Sequence, residues 1–130
     1  MSTDLTYLAL TALLSGSLWI AYVVCQVMTN GFLEPRNYTD PTPRPLPLWG
    51  DRANRALMNS VETFAPFAAM VLIAHIANKS GSTTAFWAAS FFWLRLVHAI
   101  VYIAGVPYIR TLIFTLGYVC LLGMFWVVMS

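Results

Sequence analysis

The chain has 130 residues, 59% of them apolar and 9% charged, against roughly 25% charged in an ordinary soluble domain. So few charges cannot cover a water-exposed surface, and lipid is therefore the solvent for most of this protein. Seven Lys/Arg against five Asp/Glu give a net charge of +2, which is no nucleic-acid footprint and leaves the basic residues to be read by position.

One domain is expected at this length. The first apolar run, residues 5–28, carries no charge. The residues before it, including Asp4, lack the basic region of a cleavable signal peptide, so the run reads as a retained transmembrane helix. The stretch NGFLEPRNYTDPTPRPLPLWGD follows and holds five prolines. That excludes a helix or a central strand and predicts an ordered extended loop at the membrane interface. A second span covers 52–78 and is strongly apolar over 64–77. The polar turn NKSGS, with Gly81 as helix stop, leads to a third span at 83–104. AGVP leads to a fourth at 107–129. Each run meets the need for about 20 residues to cross a hydrocarbon core of about 30 Å, and helices close their own backbone hydrogen bonds there. The predicted class is an all-α integral membrane protein, a bundle of four transmembrane helices. Cys25 and Cys120 fall inside apolar runs without metal-ligand spacing and read as buried thiols.

Charge placement orients the bundle. Arg36, Arg44, Arg52, Arg55 and Arg110 lie on or near the long loop and the turn between spans three and four, while Lys79 is alone on the other side. The positive-inside rule puts the long loop in the cytoplasm and the termini opposite. Tyr7, Trp87 and Trp126 then fall at the far interface, where an aromatic belt belongs.

Polar residues at membrane depth form the candidate site. In span two, Arg52, Arg55, Asn59 and Glu62 recur at helical spacing; in span three, Arg95, His98 and Tyr102 do the same. Glu62 lies roughly 15 Å along span two and Arg95 roughly 13 Å back from the same side along span three, so their depths match. A charge facing lipid there costs about 2.5–3.5 kcal/mol. Arg110 opens span four from that side. Taken singly, these residues have plainer readings. Glu62 with Arg95 can be a register-setting ion pair, Arg52 and Arg55 snorkelling anchors, and His98 a satisfied interior histidine. His75, at the far end of span two, has no role. Together, the cations exceed what one carboxylate can neutralise, which predicts a site for an anionic ligand.

The pattern R-x-x-R-A-x-x-N-x-x-E, here Arg52, Arg55, Ala56, Asn59 and Glu62, resembles the membrane-associated proteins in eicosanoid and glutathione metabolism. RLVHAIVY followed by PYIRTLIFT resembles the third- and fourth-helix blocks of that family's prostaglandin synthase branch. The resemblance covers all four spans. It implies a homotrimer with glutathione bound between subunits near the cytoplasmic side. Small residues that would permit close packing, Ala12, Gly16, Ala65 and Ala69, are present. Carried over by position, Arg52, Arg55, Asn59, Glu62, Arg95, His98 and Tyr102 would hold glutathione. Arg110 would face the thiol, where a guanidinium favours thiolate. No metal is required. Phe114 departs from the family by standing where several members have a tyrosine, Met58 by replacing a basic or polar residue, and Ser60 by replacing an acidic one.

The leading expectation is a membrane-bound glutathione transferase, with peroxidase chemistry open to it, acting on small hydrophobic electrophiles. Its partners would be membrane lipid and further copies of itself. The rivals are a non-catalytic lipid-binding scaffold of the same fold, and a small transporter or accessory subunit using the polar stripes as helix glue. Small size and the absence of targeting signals point to a bacterial inner membrane.

Overall fold

The computed structural model describes every residue of Met1–Ser130 except Leu33 and Pro43. Its regular elements are α1 (Thr3–Ser17), α2 (Trp19–Asn30), α3 (Pro35–Thr39), α4 (Leu48–Ile76), α5 (Ser82–Ala104) and α6 (Ile109–Met129). Four apolar stretches are long enough to cross a membrane, as expected: Thr3–Asn30, Leu48–Ile76, Ser82–Ala104 and Ile109–Met129. The first is α1 and α2 in series, interrupted at Leu18, which keeps right-handed dihedrals of φ −67° and ψ −20°. The interruption follows Ser15, Gly16 and Ser17, the kind of Gly/Ser run at which helices bend.

The long loop corrects one expectation. Within its proline-rich stretch, Pro35–Thr39 is helical. Pro35 opens that helix at the position where a missing N–H is no loss, and Thr39 Oγ1 donates to Pro35 O at 3.0 Å. The second span also starts earlier than expected, at Leu48, directly after the cap residue Pro47. Its 29 residues span roughly 43 Å, so the first turns of α4 project beyond the hydrocarbon core.

α4 is the hub, packing against α1, α2, α5 and α6, while α5 also meets α1 and α6. The packed face of α4 is made of Ala53, Ala56, Ser60, Phe67, Val71 and Ala74, which all fall within about 40° of Ser60 around the helix axis. Small side chains let the neighbours close in. A Cβ on Gly50 would collide with Cys25 Sγ of α2, and Ser60 Oγ shares a 2.8 Å hydrogen bond with Ser15 Oγ of α1. Ala12, Gly16, Ala65 and Ala69, by contrast, are all on the exposed side of the single subunit.

The apolar core lies towards the end of the bundle that carries both termini. It comprises Phe67, Val71, Ala88, Phe91, Cys120 and Met124, with Phe67 and Phe91 stacked at 4.1 Å between centroids. Gly123 admits the Trp87 indole where a Cβ would clash. Above this core Asp4 is 1% exposed. Its carboxylate accepts from Leu5 N at 3.0 Å, from Ser2 Oγ, from Ser80 Oγ and, at 3.4 Å, from Thr84 Oγ1. This clamp ties the start of α1 to the α4–α5 turn. Cys25 and Cys120 are free and buried.

Candidate functional site

The stripe on α4 is set by the packed face it stands beside. Relative to Ser60, Arg52 and Asn59 lie about 80–100° round the helix, and Arg55 and Glu62 about 140–160° round in the same sense. Arg52 and Asn59 are accordingly half-buried, whereas Arg55 and Glu62 are exposed on the single subunit. The four residues therefore form two pairs rather than one wall, and only the first pair turns partly into the bundle.

On α5, Arg95 and His98 are 3% and 2% exposed, and Tyr102 is half-buried one turn on. Arg95 Nε and His98 Nδ1 are buried and have no hydrogen-bond partner among the described residues. The His98 ring stands 5.6 Å from Tyr102 and 6.0 Å from Phe114 of α6. Arg95 Cζ lies 5.9 Å from the Phe114 ring, and Arg110 Cζ lies 4.9 Å over the Tyr102 ring. Cations over aromatic faces at these distances are attracted by the ring quadrupole, which holds both guanidiniums while leaving their in-plane donors available.

The register-setting ion pair, the plainer reading of Glu62 and Arg95, does not form. An ion pair does join Arg36 and Asp40 in the loop, at 3.9 Å. Glu62 is exposed on the single subunit while Arg95 is buried beside Phe114, so the two border one cavity without pairing across it. Likewise the buried carboxylate of the molecule is Asp4, not Glu62.

Three adjoining cavities connect these groups. The one at the mouth, about 200 Å³, is lined by Leu48, Asp51, Arg52, Arg55, Tyr102 and Arg110. Sharing Tyr102 and Arg110 with it, a middle cavity of about 280 Å³ adds Asn59, His98, Thr111 and Phe114. Phe114 in turn borders a deeper cavity of about 220 Å³ that includes Glu62, Pro66, Phe91, Arg95 and Tyr118. The series runs from polar and cationic at the loop end to mostly apolar at mid-membrane. Every residue expected at the site lines one of the three. Thr111, Thr63 and Asp51 line them too; their only sequence signal is adjacency to Arg110, Glu62 and Arg52. Pro66 adds a further polar feature, because a proline inside a helix leaves the carbonyl four residues back, that of Glu62, without its usual donor.

Arg52 is the most constrained cation of the set. Its Nε donates to Ile103 O at 2.9 Å, at the C-terminal end of α5, where carbonyls lack helical partners.

In comparison with known proteins, no curated protein and no solved structure matches this chain. The MAPEG family does, over residues 5–130. That match takes in all four spans and every residue of the cavity series, and the chain belongs to the MAPEG family.

Proposed function

We propose that this protein is an integral membrane glutathione transferase that joins glutathione to small hydrophobic electrophiles drawn from the bilayer, with peroxidase chemistry open to the same thiol. The observation that carries this reading is the pair of buried nitrogens without protein partners, Arg95 Nε and His98 Nδ1, inside a cavity series also lined by Arg55 and Arg110. A buried polar group left unmatched costs about 1–3 kcal/mol, so two a helical turn apart support a polar ligand, and the cations around them favour one with carboxylates.

Glutathione fits that donor set. Its two carboxylates suit the arginines, which form charge-assisted hydrogen bonds of the strong kind, and its amino group suits Glu62. When bound it supplies a thiol whose reactive form is the thiolate. Arg110 is the residue we assign to that charge, its guanidinium steadied over the Tyr102 ring. In a site shielded from water a fixed cation is worth far more than in solution. Asn59, His98 and Tyr102 orient the peptide along the middle cavity. The Phe114 ring walls that chamber from the apolar cavity, and Pro66, Phe91 and Tyr118 line the side from which an electrophile would arrive.

Assembly belongs to the same reading. Arg55 and Glu62 are uncovered on the single subunit, and Glu62, deeper along α4, would cost about 2.5–3.5 kcal/mol facing lipid. Further copies packed on this face, where Ala65 and Ala69 allow close approach, would cover both charges in a homotrimer. The arginine-rich loop side is then cytoplasmic, in a bacterial inner membrane.

The test is a glutathione titration of detergent-purified protein, followed by ultraviolet thiolate absorbance, beside an Arg110→Leu control. A saturable band that the control lacks is the expected result. A second reading, a lipid-binding scaffold without catalysis, is favoured by Phe114, which brings no hydroxyl to the middle cavity. Co-purified lipid with neither a thiolate band nor heat protection by glutathione would put that reading first.

A further inference from the structure

We infer that Arg52 is a positioning residue: it braces the α5–α6 turn from α4 and so sets the place of Arg110, without itself holding glutathione. The inference rests on the reading of Arg110 given above, but its structural half stands apart from any ligand.

The turn takes positive φ at two points, at no cost for a glycine and with strain for any other residue. Gly105 sits in the left-handed region at φ 81° and ψ 24°. Tyr108, which is not a glycine, sits at φ 67° and ψ −53°. Around Tyr108 the Ile109 N–H donates to Pro107 O at 2.7 Å, which closes a γ-turn of the rare positive-φ form. Backbone of this kind persists only where its surroundings over-determine it. The Tyr108 side chain is 86% exposed, so its own packing does not hold it there. Two residues later the chain delivers Arg110.

What holds the turn comes from α4. Arg52 Nε donates to Ile103 O at 2.9 Å, which fixes the last turn of α5. The guanidinium also lies against the turn itself: a Cβ built on Gly105 would stand 3.0 Å from Arg52 Cζ and 3.1 Å from Nε. Gly105 N in turn donates to Val101 O and Tyr102 O, both at 3.1 Å, and Tyr102 is the ring over which Arg110 rests at 4.9 Å. Arg52, Ile103, Gly105, Tyr102 and Arg110 are thus one connected unit. Arg55, one turn along α4, is exposed and makes no comparable contact, which leaves it the mouth cation available to a ligand carboxylate.

The experiment uses the full chain in detergent, as wild type, Arg52→Gln, Arg52→Lys, Gly105→Ala, Arg55→Gln and the Arg52→Gln/Gly105→Ala double variant. The first readout needs no glutathione: amide exchange over residues 103–110. Arg52→Gln should speed exchange there on the order of tenfold, as losing one hydrogen bond from a charged donor implies, with the α1 and α4 amides unchanged. The second readout is turnover of glutathione with 1-chloro-2,4-dinitrobenzene against pH. Arg52→Gln should lower kcat on the order of tenfold or more, as a small misplacement of a catalytic group does. It should also move the pH profile towards higher pH while leaving the KM for glutathione within about twofold. Gly105→Ala should show the same signature, the double variant should be no worse than either alone, and Arg52→Lys should recover part of the loss. Arg55→Gln should instead raise KM. Unchanged exchange at the turn in Arg52→Gln would overturn the brace, and so would a rise in KM alone that matches Arg55→Gln. Should wild type show no glutathione signal while Arg52→Gln still loosens the turn, the brace stands and the transferase reading falls.

Discussion

At the end of the bundle that holds both termini, the Asp4 carboxylate is buried and takes hydrogen bonds from Ser2, Leu5, Ser80 and Thr84. At the other end Arg95 and His98 are about equally buried, yet Arg95 Nε and His98 Nδ1 have no partner among the described residues. The first end also has the stacked Phe67–Phe91 pair and the Trp87 indole against Gly123; the second has three adjoining cavities. One half of the protein satisfies its own buried polar groups, and the other leaves two of them without a partner among the described residues.

The comparison can be broken or sharpened by substitution. The largest effect on stability is expected in the closed half, where Phe67→Ala should cost about 3–5 kcal/mol. Denaturant unfolding in detergent would show it, with glutathione affinity per folded molecule unchanged. In the open half the order reverses. Arg110→Leu should reduce turnover on the order of a hundredfold or more, with little change in melting temperature; equal losses of fold and function would undo the contrast. Asp4→Ala removes the acceptor that several donors share, and should destabilise by about 1–3 kcal/mol while leaving the pH profile of turnover alone. Arg95→Met should stabilise the unliganded protein by about 1 kcal/mol, since an uncompensated buried cation is exchanged for an apolar side chain. The same variant should lose the rise in melting temperature that the proposed glutathione site should give wild type; a lower melting temperature would mean that Arg95 is already satisfied in the assembled protein. The smallest change is Phe114→Tyr. It restores a hydroxyl beside His98 and should tighten glutathione by a few-fold, about 0.5–1 kcal/mol, as read by titration calorimetry.

The spans were legible because lipid imposes a long uninterrupted apolar run on every crossing helix, and all four are present. Helix boundaries were less so. Proline looked like an exclusion throughout the loop, yet at Pro35 it starts a helix, because a prohibition on helix interiors is no prohibition on a first position. At the site, periodicity found the polar residues of α4 and α5, and each of them lines a cavity. Periodicity did not find their directions: Arg52 and Asn59 turn inward and Arg55 and Glu62 outward, a difference of a sixth of a turn or so that depends on which face α4 packs. Nor did it show that Arg52 is engaged by Ile103 O, since that partner is a backbone carbonyl and carries no sequence signal.

Composition and spacing by themselves determined that this protein lives in a membrane, crosses it four times, and brings a set of cations and polar groups to one depth on one side. These properties follow from free energies local to each helix: hydrophobic transfer, backbone satisfaction and helical period. Only the tertiary structure decided which charges are buried, which are left without partners, and which brace the backbone. Those outcomes depend on the angle at which each helix meets its neighbours. Here that angle is fixed by close contacts such as Gly50 with Cys25, Ser60 with Ser15 and Gly123 with Trp87, between residues far apart in the chain.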